Sequence, residues 1–148
     1  MAHTYSNLLY HIVFSTKERL SLIKNDQRAE LHAYISSLVK EKGGRVLIIN
    51  SMPDHVHILV VLPPDMSVSD LMKFVKANSS RWMKQRFAKP FAWQKGFGAF
   101  TVSRSGVDAV AKYIRDQEIH HRKIDFRSEF VSLLNKNEVE FEELFLWK

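Results

Sequence analysis

Two pairs of residues in this chain have types and spacings that suit chemistry. His55 and His57 stand two apart in the run His55-Val56-His57-Ile58-Leu59-Val60-Val61-Leu62. That run is aliphatic and β-branched and reads as a strand, so side chains alternate and both imidazoles leave one face. Two imidazoles on one face can chelate a single metal ion. Tyr113 and Gln117 stand four apart in Lys112-Tyr113-Ile114-Arg115-Asp116-Gln117. On a helix that spacing stacks the phenol and the amide on one face. Taken singly, each residue has an ordinary reading: a hydrogen-bonded histidine at a strand end, an amphipathic tyrosine anchor, a surface amide.

The elements that must position them follow from local pattern. Leu8-Leu9-Tyr10-His11-Ile12-Val13-Phe14 reads as a first strand. A helix is expected over 26–42, with Leu31, Ile35, Leu38 and Lys42 at helical spacing and Gly43-Gly44 as its stop. Strands over 45–50 and 55–62 flank Met52-Pro53-Asp54 and form an antiparallel hairpin, which Pro63-Pro64 ends. Both faces of 55–62 are mostly apolar, so other elements should cover both. Ser67-Val68-Ser69-Asp70 has the capping-box pattern and opens a helix reaching to about Phe87. Its inner stripe is expected to be Val68, Leu71, Phe74, Val75, Asn78 and Trp82.

A strand over 97–103 follows, then a helix over 107–121 whose Val107, Val110, Ala111 and Ile114 should hold it to the sheet. A shorter helix over 127–135 and an acidic, aromatic tail complete the chain. The order strand, helix, strand, strand, helix, strand is the ferredoxin-like α+β plan. That plan gives a four-stranded antiparallel sheet with crossover helices, here with an added tyrosine-bearing helix. The length of 148 residues, without repeat, low-complexity tract or linker, argues for one domain over 1–148.

Composition narrows the chemistry. With no cysteine, disulfide frameworks, thiolate zinc sites and thiol catalysis are excluded, and a reducing cytoplasm is the expected setting. Met1-Ala2-His3-Thr4 leads directly into strand-like sequence with no cationic leader. The longest apolar run, 58–62, is too short to cross a bilayer, so no membrane partner is expected. The net charge of +6 and pI near 9.6 favour a polyanionic partner. No GxxxxGK[ST] phosphate loop is present.

His55-Val56-His57 and the Tyr113/Gln117 pair recur together with His11-Ile12-Val13-Phe14-Ser15, Met52-Pro53-Asp54, Lys76-Ala77-Asn78-Ser79-Ser80 and Trp93-Gln94-Lys95-Gly96-Phe97-Gly98-Ala99-Phe100. In order and spacing this resembles, over nearly the whole chain, the small single-tyrosine HUH transposases of bacterial insertion sequences. In the HUH motif, U is a hydrophobic residue. The resemblance implies that His55, His57 and Gln117 hold a divalent metal ion and that Tyr113 is the nucleophile. It also implies single-stranded DNA with hairpin ends as substrate, and a homodimer with the tyrosine supplied in trans. Attack by the phenol would leave a 5′-phosphotyrosine and a free 3′-hydroxyl, one phosphodiester replacing another without ATP.

Two nitrogens and an amide oxygen without thiolate suit Mg²⁺ or Mn²⁺. His120 and His121 follow on the same helix, and either could replace Gln117 as third ligand. For gripping DNA, Lys73, Lys76, Ser80 and Lys84 share one helix face, with Arg81, Arg86 and Lys89 nearby. Lys17, Arg19 and Arg104 lie just past strand ends. The competing class is a non-catalytic RNA-recognition module, because Lys95-Gly96-Phe97-Gly98-Ala99-Phe100 partly matches the aromatic signature of such modules. Ala99 falls where that signature wants phenylalanine, and the segment lies on the fourth strand. Nearer alternatives are an HUH nickase, a repeat-associated transposase relative and a metal-dependent hydrolase that uses water.

Overall fold

The computed structural model describes residues 4–148. Met1, Ala2 and His3, where the sequence suggests no leader, lie outside the described residues. Strands β1 (Leu8–Ser15), β2 (Arg45–Met52), β3 (His55–Leu62) and β4 (Gly98–Thr101) form one antiparallel sheet in the order β2-β3-β1-β4. The reason is topological. Helix α1 (Arg28–Glu41) carries the chain back over the sheet, so β2 runs in the direction of β1 and leaves a gap beside it. The tight turn at Pro53-Asp54 then folds β3 into that gap, pairing Met52 with His55 on one side and Ser15 with His55 on the other. This is the expected ferredoxin-like order.

Each face of the sheet has its own cover. Ile12, Phe14, Val56, Ile58 and Val60 point to the face packed by α1 and by α2 (Val68–Phe87), through Leu31, Ile35, Leu71 and Val75. Fully buried side chains of this kind each contribute about 1.5–3 kcal/mol, and they dominate the core. The opposite face carries Val13 and Phe100, against which α5 (Phe126–Lys136) sets Phe126, Phe130 and Leu134. Gly98 makes that approach possible: a Cβ there would meet Phe130 Cε1 at 2.6 Å. The C-terminal tail straps α5 down. Trp147 packs on Phe126 and Phe130, and its carbonyl accepts from Glu18 N at 2.7 Å. Among the described residues, no helix is long and apolar enough to cross a membrane.

Three expectations shift in detail. Strand β4 is shorter than 97–103. The inner stripe of α2 is Leu71, Met72, Val75, Ser79 and Met83, with Trp82 half-buried and stacked on Tyr34 at 4.7 Å. The helix rolls because the 91–93 segment also packs on it, and Trp93 Nε1 donates to Ser79 Oγ at 2.9 Å. Finally, the helix expected over 107–121 is two: α3 (Val107–Arg115) and α4 (Gln117–His120), broken at Asp116. Asn50 Nδ2 donates to the Ile114 carbonyl at 2.9 Å and the Arg115 carbonyl at 3.2 Å. Those two carbonyls at the end of α3 are thereby satisfied by the sheet.

Candidate functional site

β3 lies between β2 and β1, so both its edges are paired, and helices on either face of the sheet bury its side chains. His55 and His57 share the face that bears Val13, and both are buried. Each ring is held by its outward nitrogen. His55 Nδ1 lies 2.7 Å from Asp54 Oδ1, and His57 Nδ1 lies 2.8 Å from His11 Nε2. Both Nε2 atoms therefore point at the same interior space. Metal-ligating histidines are oriented in this way, with a partner on the second nitrogen fixing tautomer and ring plane. Phe126 stacks flat on His55 with centroids 3.8 Å apart and closes the site on that side.

Three further elements meet there. The break at Asp116 turns Gln117 fully inward, with Oε1 3.2 Å from His55 Nε2. His121 Nε2 lies 2.9 Å from the same amide oxygen. From α5 comes Glu129, 2% exposed. Its Oε1 accepts from His57 Nε2 at 3.1 Å and His121 Nε2 at 3.0 Å, and its Oε2 accepts from Gln117 Nε2 at 3.1 Å. The Tyr113 hydroxyl also donates to Oε2. One ligand atom from each of His55, His57, His121 and Glu129 lies within 4.8 Å of the others, a spacing able to hold a metal ion.

The electrostatics agree with that reading. Burial lowers His57 to about 4 against the opposing pull of Glu129, and burial with the neighbouring His57 lowers His11 to about 3. His57 and His11 are thus neutral, and neutral is the form in which His57 can take a metal ion. Burial alone would raise Glu129, but hydrogen bonds from His121, His57 and Tyr113 outweigh it and hold the carboxyl ionised. Burial and the Glu129 charge push the Tyr113 phenol well above its ordinary range. In this arrangement the phenol is a hydrogen-bond donor.

The residues singled out in the sequence divide into two groups. His55, His57, Tyr113 and Gln117 come together, and of the two candidate replacements His121 enters the cluster. His120 stays at its border, 30% exposed, with Nε2 3.3 Å from Glu129 Oε2. Lys73, Lys76, Ser80 and Lys84 sit elsewhere. They line a groove of about 500 Å³ between α2 and the segment 91–97, on the helix that covers the opposite face of the sheet. Arg81 is exposed and bonds Asn78, and Arg104 is exposed just ahead of α3. Glu129 was not legible as a site residue, although one signal existed. It falls between Phe126 and Leu133 at helical spacing, a carboxylate on the apolar stripe of its helix. His11 is present in the motif that carries the resemblance, but only strand pairing sets it beside His57.

A family model described as "Transposase IS200 like" matches residues 4–117. The transposase for insertion sequence element IS200 of Salmonella typhimurium is 31% identical over 125 residues, covering 79% of this chain and 81% of that protein. The ISDra2 transposase TnpA of Deinococcus radiodurans is 26% identical over 117 residues, covering 74% and 84%. Among solved structures, a REP-associated tyrosine transposase bound to a REP hairpin superposes with a TM-score of 0.63. It covers 84% of this chain and 74% of its own at 16% identity, a likeness of fold.

Proposed function

Since the chain belongs to the family of IS200-like transposases, we propose that it cuts and rejoins single-stranded DNA at insertion-sequence ends through a covalent link to Tyr113. The observation that carries this reading is the meeting of a tyrosine hydroxyl with two inward-facing imidazole nitrogens around one carboxylate. Tyr113 Oη attacks the scissile phosphorus in line. The Oη–P bond forms, the P–O3′ bond breaks, and the phenolic proton is matched by one gained at the 3′-hydroxyl. Rejoining reverses these changes with another 3′-hydroxyl as the attacking group.

His55 Nε2, His57 Nε2 and Gln117 Oε1 hold the divalent ion in this proposal, and their nitrogen and oxygen chemistry suits Mg²⁺ or Mn²⁺. When bound, such an ion supplies Lewis-acid stabilisation of the phosphate charge. Asp54 and His11 keep the two imidazoles aimed, and Phe126 excludes water from the His55 side. A cleft of about 460 Å³ beside Tyr113, lined by Lys112, Asp116, His120 and Lys123, gives a phosphate its approach.

Single-stranded DNA with hairpin ends is the proposed partner. The net charge of +6 and the hairpin carried by the structural relative support it. Arg104, exposed just ahead of α3, would meet the scissile strand in this proposal. Lys73, Lys76, Ser80, Arg81 and Lys84 on α2 would take the hairpin, away from the cut. The resemblance also implies a homodimer with the tyrosine supplied in trans. The Tyr113 hydroxyl donates to Glu129 of the same chain, the contact that assembly in cis would use, and subunit mixing decides between the two arrangements. An RNA-recognition module would need an open sheet face for base stacking, whereas both faces here are covered and Phe100 is buried.

The deciding experiment is Tyr113→Phe on a single-stranded substrate carrying the end hairpin. DNA binding is expected to persist while the covalent protein–DNA adduct disappears. Cleavage that continues without the hydroxyl would make water the nucleophile and sink the proposal.

A further inference from the structure

The family match ends at residue 117, yet the residue with the most partners in the site, Glu129, lies beyond it on α5. A carboxylate taken this far out of water costs several kcal/mol unless it is fully partnered. Two of the partners of Glu129, His55 Nε2 and His57 Nε2, are atoms proposed to face the metal ion. Its Oε1 lies 3.1 Å from His57 Nε2, 3.4 Å from His55 Nε2 and 3.0 Å from His121 Nε2. Ligands of one small divalent ion, each about 2.1 Å from it, stand about 3.0–3.4 Å from their neighbours. Oε1 is therefore spaced from the imidazoles as a fellow ligand would be. The second oxygen faces away from that set, toward Gln117 Nε2 at 3.1 Å and the Tyr113 hydroxyl.

We propose that Glu129 is a metal ligand supplied by the C-terminal segment, which also positions the nucleophile. Oε1 joins His55 and His57 on the ion, while Oε2 holds the Tyr113 hydroxyl beside it. This rests on the metal-and-tyrosine reading above and adds to it a charged oxygen ligand. Two imidazoles and an amide are a neutral donor set, and a carboxylate brings the negative charge that hard cations such as Mg²⁺ and Mn²⁺ favour. It also gives α5 and its strap a task. Phe130 over Gly98 and Trp147 over Phe126 fix the helix that delivers the carboxylate.

The test is Mn²⁺ binding to the full chain without DNA, followed by the electron paramagnetic resonance of free Mn²⁺, for wild type, E129Q and H57A. Removing a ligand should weaken binding about tenfold or more in both variants. As a second measurement on the wild type, the Mg²⁺-induced infrared difference spectrum should show shifted carboxylate stretches that move on ¹³C-glutamate labelling. This arm does not depend on how any variant folds. Wild-type affinity retained or improved in E129Q, with H57A impaired, would overturn the role of Glu129 while leaving the metal site intact. An infrared spectrum without a glutamate band would overturn it equally. No Mn²⁺ binding by the wild type would remove the metal site and this inference together.

Discussion

Phe130 of α5 rests directly on Gly98 of β4, so close that a Cβ on residue 98 would lie 2.6 Å from the ring. The strand therefore needs a residue without a side chain at that point. Gly98→Ala would force the ring, and with it α5, away from the sheet. Overpacking of this kind costs about 1–3 kcal/mol, a fall in Tm of roughly 3–10 °C for a chain of this size. Hydrogen exchange in α5 should speed up by more than that in β1. An unchanged Tm and exchange pattern would mean that α5 is not seated there.

Tyr113 and the imidazoles belong to one chain, with His57 and Tyr113 ring centroids 5.8 Å apart. Mixing Tyr113→Phe with His57→Ala protein should accordingly restore no covalent adduct, since neither variant holds a complete site. Adduct formed by the mixture, and by neither variant alone, would show that the tyrosine crosses between subunits.

His32 lies outside the site and bonds Ser51 Oγ at 2.7 Å. Burial, with help from the Arg28 charge, lowers it to about 4. Below pH 6.5 the unfolded chain takes up a proton at this residue that the native chain refuses, so stability falls as pH drops from 6.5 toward 4. Discounted for partial exposure, this amounts to about 1 kcal/mol by pH 5. Urea unfolding of His32→Gln at pH 7 and pH 5 should show that much less acid destabilisation than wild type. An equal loss in both proteins would assign the acid sensitivity to other groups.

Lys73 and Lys84 are exposed on α2 and line its groove. If they contact phosphates of the hairpin, Lys73→Ala and Lys84→Ala should each weaken binding regardless of sequence. Each should also flatten the dependence of log K on log salt by about 0.7–0.9. Unaltered salt slopes would release α2 from any role in DNA binding.

The sequence alone determined whatever depends on local period. Strand alternation put His55 and His57 on one face, and the four-residue spacing of Tyr113 and Gln117 anticipated their nearness, although the break at Asp116 sets them on successive helices. The order of elements pointed to the ferredoxin-like plan, and the sheet order β2-β3-β1-β4 agrees with it. The broken helix was harder to see. Lys112-Tyr113-Ile114-Arg115-Asp116-Gln117 has no glycine or proline to mark the break at Asp116. The end of α3 is set by Asn50, a residue 64 positions away from Ile114.

Tertiary packing decided the centre of the site. Glu129 reaches the histidines only because Phe126 and Phe130 dock α5 on the sheet beside β3, and His11 meets His57 only through the register of β1 with β3. Packing also put the α2 lysines behind the sheet, away from the imidazoles. Period tells which way a side chain leaves its own element. Which other element it then meets depends on contacts distant in sequence, where a buried carboxylate must find its donors.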